Sequence, residues 1–160
     1  MNCSKESILK MEDPVQRAGE LAMFYKQQKF HCSEATVRAC PEALGINLPE
    51  ELVRAACGFR GGGGGYWDRC GVIEVGIMLI SYLYGRLTTY QEAWPYSYLI
   101  RELHRRFKEE FPSIYCRDIK GCSVNHNCDD IYRKGAEIIT GLIIDAPELL
   151  KNVSEEDKDR

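Results

Sequence analysis

The stretch Cys70–Tyr84, CGVIEVGIMLISYLY, is apolar at nearly every position. A helix that is hydrophobic on all sides is buried among other helices, because each of its faces needs an apolar neighbour. The apolar run is shorter than the ~20 residues that span a bilayer, and Glu74 interrupts it. We therefore expect residues 70–85 to form the central helix of a bundle, and we expect no membrane span.

Predicted helices flank this central segment on both sides. The clearest start is Asp13 followed by Pro14, an N-cap with proline at the first helical position. Thr89 and Glu92 have capping-box spacing ahead of a long helix, and Pro95 either starts that helix or kinks it. Apolar residues at helical spacing predict flanking helices near residues 14–28, 32–41, 49–58, 90–111 and 128–147.

The chain has the size of one domain. Its 160 residues, 44% of them hydrophobic, are enough to bury a core. We predict an all-α fold: a single-domain bundle of about five to six helices around the central one, formed by residues 1–150. Residues 151–160 are predicted to form a charged, flexible tail. An apolar face could also bury a homodimer interface, because the pattern does not separate interface from core.

Charge and the N-terminal sequence bear on partners and location. The net charge is −3 and no stripe of Lys and Arg interleaves with aromatic residues, which disfavours nucleic-acid binding. The N-terminal sequence MNCSKESILK lacks the apolar core of a signal peptide. We therefore expect a cytoplasmic protein, in which thiols are kept reduced.

The chain contains 8 cysteines, which favours metal binding or redox chemistry over a static disulfide framework. The sequence has no CxxC motif, which argues against a thioredoxin-type dithiol, a zinc ribbon and closely spaced ferredoxin patterns. Any shared site must therefore be assembled from distant segments. Cys40 and Cys57 lie on apolar helical faces and are expected to act as small hydrophobic residues. Cys3 is expected to be incidental.

The other cysteines lie where predicted helices begin or where a loop turns. Cys32, Cys70 and Cys128 each open a helix, while Cys116 and Cys122 lie in the connection after the long helix. A helix N-terminus offers N–H groups without intrahelical partners and a partial positive charge, both of which stabilise a thiolate. We expect the functional thiols to be among these five.

Five consecutive glycines precede Cys70 within the stretch GFRGGGGGYWDRCG. The run is either a flexible linker or a cradle whose backbone wraps a cofactor and donates hydrogen bonds to its sulfurs. A phosphate-binding loop is disfavoured because no GK[ST] motif follows. In a cradle, Tyr66 and Trp67 would screen the site from water. The residues expected to contact the cofactor are Gly61, Gly62, Gly63, Gly64, Gly65 and Gly71.

Five blocks in order along the chain resemble one known family. The blocks are HCSEA, ACGFRGGGGG, CGVIEVG, FKEEFPSIYCRDI and CDDIYRKGAEII, and together they reach from about Phe30 to Leu142. They resemble the C_GCAxxG_C_C family of bacterial and archaeal proteins, to which redox activity is ascribed. The resemblance implies a redox function and a protein partner, since members tend to be encoded beside oxidoreductases or transporters. It also implies that four cysteines form the site: Cys32, Cys70, Cys116 and Cys128.

The chain departs from the family pattern just after Cys70. Val72 stands where the family has alanine, and Val75 stands where it has glycine, with Gly76 one position later. These changes place larger side chains on the first turns of the central helix, where we expect crowding against a neighbour. Cys122 is an additional thiol and an alternative to Cys128 as the fourth ligand.

Three functions are compatible with these cysteines. An iron–sulfur cluster, either [2Fe–2S] or [4Fe–4S], would make the protein an electron carrier or a redox sensor, and we rank this first because thiolates are soft ligands. Without metal, the same residues could form a thiol–disulfide oxidoreductase in which a low-pKa thiolate such as Cys70 attacks. A structural zinc site is the third alternative. Whether the protein is an enzyme stays open.

Overall fold

A computed structural model describes residues 4–121 and 128–160. This part of the chain is built from helices and contains no strand, apart from one isolated antiparallel bridge between Arg69 and Tyr115. The all-α prediction is confirmed. A 3-10 helix, Ala56–Phe59, follows α4. The α-helices are α1 (Lys5–Leu9), α2 (Pro14–Gln27), α3 (Cys32–Leu44), α4 (Glu50–Ala55), α5 (Gly71–Tyr84), α6 (Trp94–Glu110), α7 (Cys116–Gly121), α8 (Asp129–Lys151) and α9 (Glu155–Lys158).

Helix α5 is the central helix that the sequence predicts. It packs against α3, α6, α8 and the 3-10 helix, so most of its length is covered. Its last turn leaves the core, where Tyr82 and Leu83 are exposed. Within the described ranges, no helix combines the length and the apolar character that crossing a bilayer requires. The buried residues of α5 are Gly71, Val72, Ile73, Val75, Gly76, Leu79 and Ile80.

The crowding expected after Cys70 is relieved by a glycine on the opposite helix. Gly135 of α8 faces Val72, and a Cβ atom on Gly135 would lie 2.5 Å from Val72 Cγ1. The extra bulk of valine at position 72 is thus accommodated by the absence of a side chain at position 135. Gly76 of α5 lets α6 pack closely in the same way, because a Cβ atom on Gly76 would lie 2.8 Å from Leu103 Cδ2.

Two helix ends differ from the sequence prediction, and both involve proline. Helix α3 continues past Pro41 to Leu44, where Gly45 closes it in the left-handed conformation with φ 68°. Helix α8 continues past Pro147 to Lys151. A proline removes one hydrogen bond but does not end a helix whose following residues still pack. Leu149 and Leu150 pack against the core beyond Pro147 and stabilise the last turn.

The long helix α6 begins later than its capping signal suggests. Ala93 is its N-cap, and Pro95 lies in the first turn, so Pro95 starts the helix and does not kink it. The segment predicted as a flexible tail contains the short helix α9, which packs against α6. Lys158 lies 5.2 Å from the ring centroid of Trp94, and Arg101 donates a hydrogen bond to the Asp157 carbonyl oxygen.

Candidate cysteine site

The four cysteines singled out from the sequence all begin helices. Cys32 is the first residue of α3 and Cys116 the first residue of α7. Cys70 and Cys128 are the N-cap residues of α5 and α8. The prediction that Cys32, Cys70 and Cys128 open helices is therefore confirmed. Four helix N-termini thus each present a cysteine.

The fold brings these four thiols into one electrostatic neighbourhood. Burial is the largest cause of the raised pKa of both Cys32 and Cys70, and charge on neighbouring cysteines adds to it: Cys128 acts on Cys32, and Cys32 and Cys116 act on Cys70. Gly71, next to Cys70 in sequence, contacts Cys32 closely, since a Cβ on Gly71 would lie 3.3 Å from Cys32 Sγ. Among the described residues, however, no three His, Cys, Asp or Glu side chains are grouped tightly enough to hold a metal ion.

Burial dominates the acid–base behaviour of the two innermost thiols. Loss of solvent raises the pKa of Cys70 to about 12 and raises the pKa of Cys32. Backbone N–H groups at the helix starts oppose this: those of Val72 and Ile73 lower the pKa of Cys70. The expected low-pKa thiolate at Cys70 is therefore wrong for this conformation, because burial outweighs the helix N-terminus. Both thiols remain protonated near neutral pH.

The glycine run is an ordered turn of left-handed backbone. From Gly61 to Gly65 the φ angles are 57°, 71°, 82°, 65° and 93°, a succession that residues with a Cβ rarely adopt. The turn folds onto itself through backbone hydrogen bonds, with Trp67 N donating to Gly61 O at 2.8 Å and Asp68 N donating to Gly62 O at 3.1 Å. The Gly61 N–H also donates toward the Cys32 sulfur and lowers its pKa.

The turn is attached to the segment that carries Cys116. Cys70 N donates to Ile114 O at 2.8 Å, and Cys116 N donates to Asp68 O at 2.6 Å. Arg117 N donates to Trp67 O at 3.1 Å. These three bonds hold the residues preceding Cys70 beside the start of α7. Together with the Gly61 N–H at the Cys32 sulfur, they link the surroundings of three of the four cysteines.

One family model matches the part of the chain that carries these cysteines. Residues 30–142 match the family model described as "Putative redox-active protein (C_GCAxxG_C_C)", a span that contains all four of them. The chain belongs to this family. No curated protein and no solved structure matches the chain. Membership in the C_GCAxxG_C_C family supports redox activity as the general function.

Aromatic and charged residues lie near Cys70 in the sequence of this C_GCAxxG_C_C protein. Tyr66 is 84% exposed, so its side chain does not cover the cysteines as predicted. Trp67 is 44% exposed and has a left-handed φ of 67°, an unfavourable conformation for a large side chain. Glu74 pairs with Arg69 at 3.2 Å, so these two charges flanking Cys70 in sequence neutralise each other.

The remaining cysteines divide into a core residue and a partly exposed one. Cys40 is fully buried, its Sγ lies 3.6 Å from the Ala136 carbonyl oxygen, and burial raises its pKa to about 12. The prediction of Cys40 as a small hydrophobic residue is confirmed. Cys57 lies in the 3-10 helix and is partly exposed. The prediction that Cys57 is buried on an apolar helical face is therefore wrong. Cys3 and Cys122 lie outside the described residues.

Sequence reasoning missed Tyr132, which the fold places beside the cysteines. Its hydroxyl donates to the Phe30 carbonyl oxygen at 3.3 Å, and charges on Cys32, Cys128 and Cys70 raise its pKa, with burial as the largest cause. The available signal was its position four residues after Cys128, which places both residues on one face of a helix. Family membership draws attention to the cysteines and carries no such signal for an aromatic residue.

Proposed function

We propose that this protein is a small cytoplasmic redox protein that holds an iron–sulfur cluster on Cys32, Cys70, Cys116 and Cys128. The observation that carries the proposal is the convergence of four thiols from four helix starts, linked in pairs by electrostatic interaction. Thiolates are the ligands that iron–sulfur clusters require. Such a cluster would supply one-electron transfer or a redox-sensing state.

The chemistry of the donor set fits a cationic iron centre. Buried thiolates are costly without a positive partner, which is why the pKa of Cys70 rises to about 12 in the metal-free protein. Iron would offset that cost and release the thiol protons. Because no three described His, Cys, Asp or Glu side chains are grouped tightly enough for a metal ion, binding would have to draw the sulfurs closer together.

The backbone around the site supplies the groups that tune such a centre. N–H groups of Gly61 and Ser33 point toward the Cys32 sulfur, and those of Val72 and Ile73 toward the Cys70 sulfur. Hydrogen bonds to sulfur stabilise the reduced, more negative state and so raise the reduction potential. On this proposal Gly61, Gly62, Gly63, Gly64, Gly65 and Gly71 form the cradle of the cluster.

Thiol–disulfide exchange is the second candidate, and the closeness of Cys32 to the start of α5 favours it. Gly71 leaves room beside the Cys32 sulfur, and charge on Cys32 is, after burial, the next largest cause of the raised pKa of Cys70. In that reaction the two thiols would form one S–S bond, and two electrons and two protons would pass to a disulfide on a partner protein. The raised pKa values of both thiols would make the attack slow at neutral pH.

A redox partner protein is part of the proposal. Either an oxidoreductase or a transporter-associated protein would exchange electrons with the site, as the family resemblance implies. Nucleic acid is not expected as a partner, given the net charge of −3. Self-association as a homodimer is an additional proposal that size-exclusion chromatography with light scattering would test.

The proposal is tested by anaerobic purification with visible spectroscopy and iron, sulfide and zinc determination. Wild type should show broad charge-transfer absorption with equimolar iron and sulfide. Serine at position 32, 70, 116 or 128 should reduce or abolish both, whereas Cys57→Ser, a partly exposed cysteine outside the set, should retain them. A colourless, metal-free protein whose thiols oxidise in pairs would replace the cluster with dithiol chemistry, and zinc without sulfide would indicate a structural site.

A further inference from the structure

Tyr132 lies on α8 one turn beyond Cys128. The Tyr132 N–H donates to the Cys128 carbonyl oxygen at 3.2 Å, so the two residues are joined by the first turn of the helix. The side chain is only 8% exposed. A tyrosine buried to this extent needs a partner for its hydroxyl group. The acceptor of this hydroxyl hydrogen therefore shows which part of the fold Tyr132 connects to α8.

The partner is the backbone just before Cys32. Tyr132 donates its hydroxyl hydrogen to the Phe30 carbonyl oxygen at 3.3 Å, a contact between residues 102 positions apart in sequence. Phe30 lies two residues before the start of α3. A single side chain therefore connects the start of α8, which carries Cys128, with the segment that leads into Cys32.

The hydroxyl also lies within the electrostatic field of the site. After burial, the charges that raise the pKa of Tyr132 belong to Cys32, Cys128, Glu34 and Cys70. The phenol therefore stays neutral and protonated, and it keeps its one hydroxyl hydrogen on the Phe30 carbonyl oxygen.

Lys26 of α2 contacts both Tyr132 and the first residue of α8. Its ammonium group lies 5.3 Å from the centroid of the Tyr132 ring and forms an ion pair with Asp129, the first residue of α8. Since Lys26 belongs to the last turn of α2, these interactions attach α2 to the start of α8. The ring of Tyr132 thus lies beside a cation of α2 while its hydroxyl group bonds the segment before α3.

We infer that Tyr132 is a positioning residue of the cysteine site, whose hydroxyl group fixes the start of α3 relative to the start of α8. Through that contact it sets the separation of Cys32 from Cys128. The inference rests on the proposed function for its redox consequence. The positioning itself concerns residues of the chain alone and can be measured without a cofactor.

The test compares Tyr132→Phe with Tyr84→Phe, both as full-length protein purified anaerobically. Tyr84 is a half-buried tyrosine at the opposite end of α5 from Cys70, so losing its hydroxyl removes a similar group far from the site. If wild type carries iron and sulfide, Tyr132→Phe should retain them with a midpoint potential shifted from that of wild type, because the start of α3 is no longer fixed relative to the start of α8. Tyr84→Phe should leave the potential unchanged. Equal potentials in all three proteins would overturn the inference.

A second readout applies to metal-free, reduced protein and separates the inference from the cluster proposal. Alkylation of Cys32 and Cys128 by iodoacetamide, followed by mass spectrometry, should be about fivefold faster in Tyr132→Phe, the factor expected for losing one hydrogen bond. Tyr84→Phe should react as wild type does. If wild type contains no iron, the cluster proposal fails while this rate still decides the positioning role, and unchanged rates would overturn it.

Discussion

Gly71 packs directly against the sulfur of Cys32, although the two residues begin different helices. A Cβ atom on Gly71 would lie 3.3 Å from Cys32 Sγ and 2.4 Å from the Phe59 carbonyl oxygen. The second distance is shorter than real contacts of a Cβ atom allow. The start of α5 can therefore approach Cys32 and the 3-10 helix only because position 71 has no side chain.

Replacing Gly71 by alanine should destabilise both the fold and the site. The added methyl group must displace the backbone at Phe59, and overpacking of this kind costs about 1–3 kcal/mol. Urea unfolding should show that loss in the Gly71→Ala variant. Gly58→Ala is the matched control, because nothing lies within 4 Å of a Cβ at position 58. Equal unfolding free energies for the two variants would contradict the packing described here.

The glycines of the left-handed turn should differ in their tolerance of alanine. A Cβ atom on Gly64 would meet no atom within 4 Å, so only the left-handed backbone, with φ 65°, opposes a side chain there. That conformation costs a residue with a Cβ roughly 1–2 kcal/mol. At Gly62 a Cβ would additionally lie 2.4 Å from Asp68 N. Gly62→Ala should therefore lower the unfolding free energy by more than Gly64→Ala. A similar small loss for both would indicate a loose linker.

Val72 and Gly135 should be energetically coupled. Gly135→Ala alone places a methyl group 2.5 Å from Val72 Cγ1 and should cost about 1–3 kcal/mol. Adding Val72→Ala makes room for that methyl group, so the double variant should be more stable than the sum of the single losses predicts. A double-mutant cycle of unfolding free energies measures the coupling. Strict additivity would mean that α5 and α8 do not meet at this point.

The stability of the metal-free, reduced protein should fall at alkaline pH. Burial raises the pKa of Cys70 and of Cys40 from 9.0 to about 12, so the unfolded chain loses these protons at lower pH than the folded chain does. The stabilisation is complete below pH 9 and is lost as the pH rises from 9 toward 12. Each thiol contributes at most about 1.4 kcal/mol per pH unit to this slope.

Urea unfolding with reductant at pH 8 to 10 measures this dependence. Cys40→Ala should reduce the slope of unfolding free energy against pH, because it removes one of the buried thiols. Comparing slopes separates this effect from the loss of packing that the substitution itself causes. A slope that is the same in wild type and Cys40→Ala would show that Cys40 titrates normally in the folded protein.

Local signals explain what could be predicted from the sequence. The Asp13–Pro14 start of α2 is observed, with Asp13 Oδ1 accepting a hydrogen bond from Val15 N at 2.9 Å. Burial of α5 follows from its composition alone. The helix starts at Cys32, Cys70 and Cys128 were predictable because the capping and breaking residues beside them are neighbours in sequence. Cys116 was predicted to lie in a loop, and that prediction is wrong because it begins the short helix α7.

Contacts between distant segments explain what could not be predicted. Five glycines permit many conformations, and the left-handed turn is held by bonds such as Cys116 N to Asp68 O, which joins residues from separate parts of the chain. The continuation of α3 past Pro41 depends on packing and not on local propensity. Tyr132 carries no sequence signal for its contact with Phe30, which only the folded chain creates.

Native mass spectrometry of anaerobically purified wild type tests the central claim most directly, because it weighs the bound group and counts the thiol protons together. The account predicts a mass excess of either two irons with two sulfides or four of each, lost in Cys70→Ser and retained in Cys57→Ser. A mass equal to the bare chain, or one reduced by two hydrogens for each disulfide formed, would contradict the iron–sulfur site and leave the cysteines as a metal-free redox centre.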